Sequence, residues 1–92
     1  MKVSDIRRKL LSQAYKATSL ATKAKKAKND LEINKWTVIA KLNRDYISYI
    51  DYVSANPIYY RKHKESIAQK LYWVLSHVEK CDILINETKQ NL

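Results

Sequence analysis

Glycine and phenylalanine are absent from this 92-residue chain, and proline, cysteine and methionine occur once each. Without glycine the backbone has no inexpensive way to approach a phosphate closely or to take a positive φ. The P-loop, the dinucleotide-binding fingerprint and the nucleophile elbow, all built on glycine, are therefore excluded. The single Cys81 forms no internal disulfide, and no apolar stretch of signal-peptide type follows Met1, so a cytoplasmic location is expected. No apolar run reaches the roughly 18 to 20 residues needed to cross a bilayer. A chain of this length makes one domain that buries about 60 to 65% of its unfolded surface, which leaves little room for an enclosed active site beside the core.

Acid is scarce in one place. Residues 1–29 carry nine Lys or Arg against Asp5 alone, which is +8 of the formal +9; from Asp30 onward nine bases meet eight acids. So sharp an asymmetry marks one element as an electrostatic contact surface and the rest as scaffold.

With one proline and no glycine there are few breaks, and apolar residues recur at helical spacing throughout. Val3, Ile6, Leu10, Ala14, Ala17, Ala21 and Ala24 form a narrow stripe of mostly small residues that lets a neighbouring helix come close. Asn29 and Glu32 have the spacing of a capping box and start a second helix. Its apolar arc is wide: Ile33, Trp36, Ile39, Ala40, Ile47 and Ile50 are central, with Leu31, Val38, Leu42, Tyr49 and Val53 extending one side toward a second neighbour. Asn56-Pro57 starts a third helix, with Tyr60, Ile67, Leu71, Val74, Val78, Cys81 and Ile85 on its stripe. The expected fold is all-α: a single domain, an antiparallel three-helix bundle with helices near 3–28, 30–54 and 57–88. The alternative is a helical hairpin in which the first two helices fuse and pair as a dimer.

On the first helix Lys9, Lys16 and Lys23 align along one flank, Arg8 and Lys26 lie outward, and Arg7 and Lys25 take the other flank. Ser12, Gln13, Thr18, Ser19 and Thr22 add hydrogen-bond donors between them. Polyanionic phosphate suits such a face, so a nucleic-acid-binding accessory protein is expected; with about six phosphates neutralised, the log-log salt slope would be near −5. An acidic protein surface is the competing partner, which makes the chain a small regulator or inhibitor. An anionic membrane suits the face poorly, because an alanine stripe offers little to insert.

Tyrosines 46, 49, 52, 59 and 60 cluster just before Arg61, Lys62, His63 and Lys64, which makes a second basic and aromatic patch. Tyr52 and Tyr59 are expected to be exposed contacts. Leu11, Tyr15, Trp73, Ile83 and Leu84 fall off the core stripes and point to a protein partner or a weak homodimer. His77 and Cys81 are four apart, but His63 is the only other histidine and no fourth ligand is evident, so neither metal nor cofactor is expected. No nucleophile, base and acid arrangement stands out, so no enzyme activity or small-molecule substrate is expected. In size and in its Lys, Asn, Ile and Tyr richness the chain resembles short reading frames of AT-rich bacteria, their phages and mobile elements, which implies at most a regulatory or inhibitory binder.

Overall fold

The computed structural model describes residues 2–90, and every element in it is helical: α1 (Val3–Lys26), α2 (Asp30–Ala55), α3 (Pro57–Lys62) and α4 (Lys64–Gln90). The molecule is a rod of 48 × 19 × 17 Å. Its α1 and α2 pack along their length in opposite senses, Arg7 meeting Asp51, Leu10 meeting Asn43, and Ala21 lying level with Ala40. The alanine stripe of α1 is buried, as its spacing predicts.

Helices α1 and α2 do not fuse. The Asn29 amide donates to the Ala24 carbonyl and the Lys28 amide to the Lys25 carbonyl, the pair of bonds that closes a Schellman turn. Such a turn needs one left-handed residue, and in a chain without glycine that residue is Lys28, at φ 55°. Asn29 caps α2 by accepting from the Glu32 amide at 3.3 Å. Only half of the predicted capping box forms, since the Asn29 amide is already taken. Glu32 instead accepts from Trp36 Nε1 at 2.9 Å, which satisfies the indole of the largest buried residue.

The predicted third helix is interrupted at His63. On one side lies α3, which buries no residue; on the other, α4 buries Ile67, Val74, Val78, Cys81 and Ile85. Tyr60, expected on the core stripe, is 46% exposed as a result. Leu84, expected to be exposed, is half-buried against the core, with Leu20. The wide arc of α2 is also only partly used. Trp36, Ile39, Ala40 and Ile50 are buried, whereas Leu31, Val38 and Leu42 face outward, because α1 and α4 cover only one side of the helix.

Helices α1, α2 and α4 share a core in two apolar clusters. One holds Ile6, Leu10, Ile50, Val74 and Val78, the other Ala17, Ala21, Trp36, Ile39, Ala40, Cys81 and Ile85. Between them is a polar layer. Gln13, expected on the outer face, is buried and donates to the Val78 carbonyl at 2.8 Å and to Asp82 at 2.7 Å. Buried Asn43 donates to the Leu10 carbonyl at 3.0 Å and to Gln13 Oε1 at 3.2 Å. Its own oxygen lies 2.6 Å from His77 Nε2, so the imidazole carries its proton on that nitrogen and donates. Among the described residues no buried side-chain nitrogen or oxygen lacks a partner.

Lys28→Gly removes the steric cost of the left-handed residue and should raise stability by about 1 kcal/mol in denaturant unfolding; an unchanged midpoint would mean the turn carries no strain. Asn43→Leu strips a partner from Leu10, Gln13 and His77 at once and should cost about 2 to 4 kcal/mol. The layer also carries a pH signature. Burial, and secondarily Lys80, hold the His77 imidazole below its ordinary value, so the unfolded chain takes up the proton first as pH falls. Stability from this group should be complete above about pH 6.5 and decline from there toward the lower native value, and His77→Gln should flatten that decline.

Candidate anion-binding groove

Packing redistributes the charge of α1. Arg7 donates from Nε to Asp51 Oδ1 at 2.8 Å and from Nη2 to Oδ2 at 3.1 Å, a two-pronged pair between α1 and α2. That hydrogen bond raises the guanidinium above its ordinary value and holds the Asp51 carboxyl below the usual range. Lys9 Nζ lies 3.8 Å from Asp82 on α4. Asp5, spaced in the sequence to meet Lys9 one turn on, lies instead 3.8 Å from Arg8. Arg7, Arg8 and Lys9 are thus matched by acids, one of them on α2 and one on α4. Lys16, Lys23, Lys25 and Lys26 are exposed and have no ion-pair partner among the described residues.

One of these, Lys25, borders a groove between α1 and α2. Its walls are Thr18, Thr22 and Lys25 on one side and Thr37, Lys41 and Arg44 on the other, over a floor of Ala21 and Ala40, enclosing about 360 Å³. The lining follows directly from the helical spacing. Residues 18, 22 and 25 step by four and three, as do 37, 41 and 44, so each trio lies on one flank of its helix. The two small floor residues bring the backbones together and leave the longer side chains standing as walls. Three cations line the groove and no carboxylate does. Arg44 Nη2 reaches across to Thr18 Oγ1 at 3.5 Å, which holds the guanidinium over the opening. Thr18 and Thr22 donate their hydroxyls to the Ala14 and Thr18 carbonyls, while the Thr37 hydroxyl has no hydrogen-bond partner among the described residues. Chemically this is a strip of positive charge in which the Thr37 hydroxyl alone keeps a proton to donate, an arrangement that receives phosphate oxygens chiefly through its three cations. Exposed Tyr15 stands three residues before Thr18 on the same flank, within reach of a group lying along the groove.

Lys41 and Arg44 are not among the residues the sequence singles out, because their helix is nearly neutral overall. The signal for them is the matching four-and-three spacing of the two trios, which becomes readable once α1 and α2 are paired.

The second predicted patch is present but separate. Arg61, Lys62, His63 and Lys64 line a hollow of about 330 Å³ at the α3 to α4 junction, shared with Glu65 and Ser66. Arg44 precedes Asn56 by twelve residues, about 18 Å along α2, so the groove and the hollow do not form one surface. Tyr59 is not the exposed contact expected: it is half-buried, edge-on to Tyr52 at 5.2 Å and tilted against His63 at 4.7 Å. Tyr52 is exposed but packed on that ring. Trp73 is exposed on α4, 60% open to solvent.

Cys81 Sγ lies 3.3 Å from His77 Nε2 in the polar layer. Burial, then Asp82, push the thiol above its ordinary value, so it stays protonated. Among the described residues no three His, Cys, Asp or Glu side chains come together in a metal-holding arrangement, and no helix is long and apolar enough to cross a membrane.

Comparisons with protein-family models, with curated proteins and with solved structures find no match to this chain.

If the groove receives anions, millimolar tripolyphosphate should raise the melting temperature through binding to the folded state. The combined Lys41→Ala and Arg44→Ala variant should lose most of that rise, and Arg7→Ala, whose guanidinium is already occupied, should keep it. A loss in Arg7→Ala about half that of the double variant, in proportion to the charge removed, would show that net charge alone is responsible.

Proposed function

We propose that this protein is a non-enzymatic nucleic-acid-binding accessory protein that grips the phosphate backbone in the groove between α1 and α2. The fold behind it is an antiparallel three-helix bundle in which α4 is the third helix and the short α3 serves as its lead-in. The observation that carries the reading is a groove lined by three cations and no carboxylate, beside α1 lysines 16, 23 and 26 that likewise have no ion-pair partner among the described residues. Cations of this kind contact backbone phosphates, and such contacts fix position without reading sequence. Lys16, Lys23 and Lys26 on the outer surface of α1 extend the field around it.

Because Arg7, Arg8 and Lys9 are matched internally, the protein should neutralise about four phosphates, fewer than a count of the bases on α1 suggests. A second reading, a regulator that docks on an acidic protein surface, is favoured by Tyr72, Trp73 and Ile83, which are exposed on α4 and have no use in phosphate binding.

Fluorescence anisotropy with short single- and double-stranded DNA and RNA at several salt concentrations separates the two. The nucleic-acid reading predicts a log-log slope of roughly −3 to −4, lowered in magnitude by about 2 in the Lys41→Ala and Arg44→Ala double variant and unaffected by Trp73→Ala. A flat salt response, or no binding at low salt, would remove it in favour of the regulator.

A further inference from the structure

The outward face of α2 carries a second repeat that the core does not use. Leu31, Lys35, Val38, Leu42, Asp45 and Tyr49 recur at alternating steps of four and three, the spacing of a coiled-coil seam. Leu31 is 83% exposed, Val38 56% and Leu42 38%, and Tyr49 is half-buried. One exposed leucine at a helix start is ordinary, but Leu31 here shares a face with Val38 and Leu42, which together leave an apolar row open.

The order of residues in that row decides what covers it. In an antiparallel helix pair, alternate seam positions of one strand meet the opposite set of the other. Place a two-fold axis at the level of Ala40, and Val38 meets Leu42 of a second copy, Leu31 meets Tyr49, and Lys35 meets Asp45. Each contact occurs twice, once on either side of the axis. The two apolar layers nearest the axis are flanked by two ion pairs and then by two aliphatic and aromatic layers. The only cation and the only anion in the row therefore fall opposite each other, which a row serving merely as a solvated surface has no reason to arrange. Asp45 is exposed and has no ion-pair partner among the described residues. Lys35 makes a 3.7 Å contact with Glu32 and sits 4.8 Å from the centre of the Trp36 ring, both on its own helix and both compatible with a further carboxylate.

We infer that a second copy of this chain covers the face, forming a two-fold symmetric dimer through antiparallel α2 seams. A self-complementary face of this kind is what a two-fold interface requires. The pairing uses a different surface from the one that Leu11, Tyr15, Trp73 and Leu84 suggest in the sequence, and of these Leu84 is engaged in the core. Of the groove walls on α2, Thr37 and Arg44 lie on another flank, while Lys41 borders the seam beside Leu42, so the groove and the dimer face meet along that edge. The inference does not depend on the nucleic-acid reading, and its test involves no nucleic acid.

The charge order gives that test. Lys35→Glu places two acids opposite each other in its own homodimer, and Asp45→Lys places two bases there; each variant alone should weaken the dimer about tenfold or more. Mixed together, the two variants restore both ion pairs and should form a heterodimer about as tightly as the native chain. Sedimentation equilibrium on each variant and on the equimolar mixture reads the outcome, with circular dichroism confirming that both remain helical. A native chain that stays monomeric up to about 100 µM would overturn the inference, as would a mixture no more associated than its components.

Discussion

The polar layer of Gln13, Asn43 and His77 is the constraint on which the rest of the arrangement depends. The apolar clusters above and below it are built mostly from Ala, Ile, Leu and Val, with Trp36 and Cys81 in one of them, and apolar contacts, being non-directional, by themselves tolerate shifts of register. Hydrogen bonds do not. Asn43 reaches the Leu10 carbonyl and Gln13 reaches the Val78 carbonyl only in one register, and a slip would bury several groups without partners. Once that register is set, surface pairings follow from it: Arg7 arrives at Asp51, Lys9 at Asp82, and the trio 18, 22, 25 lies across from 37, 41, 44.

The electrostatics then divide along the rod. Near its N-terminus α1 meets Asp51 of α2 and Asp82 of α4, and the bases there are held in local pairs. Toward its C-terminus α1 runs beside the Thr37 to Arg44 stretch of α2, which contributes two more cations to the groove in place of acids. A helix with nine bases and one acid in its vicinity thus becomes a scaffold pair at one end and a cationic groove at the other. The groove is wholly a product of packing, since half of its lining comes from a helix with no distinctive charge of its own.

How much of this was legible beforehand depends on what kind of signal each feature leaves. Apolar periodicity marks α1 and α2 well, and Asn29 marks the start of α2 through its cap. The interruption at His63 leaves no proline or glycine behind; it reflects where burial begins again, at Ile67, and burial is a tertiary property. Leu31, Val38 and Leu42 read as core because periodicity reports that a face is apolar without reporting what covers it. Gln13 lies three residues after Leu10 and four before Ala17, squarely on the buried stripe, yet its polar side chain assigns it to the outer face. The buried polar layer was therefore written in the spacing and overridden by residue type. For the site, the α1 bases were legible as a class but not their division into paired and unpaired, because that needs Asp51 and Asp82 brought across from other helices.

The claim that the α1 to α2 groove is the binding surface is tested most directly by amide chemical-shift mapping. ¹⁵N-labelled protein would be titrated with a short DNA duplex and with an RNA hairpin. The account predicts that the largest shifts fall on Thr18, Thr22, Lys25, Thr37, Lys41 and Arg44, with smaller ones at Lys16 and Lys26. Shifts concentrated at residues 61–64, or on the Tyr72 to Ile83 face of α4 with the groove unmoved, would contradict it.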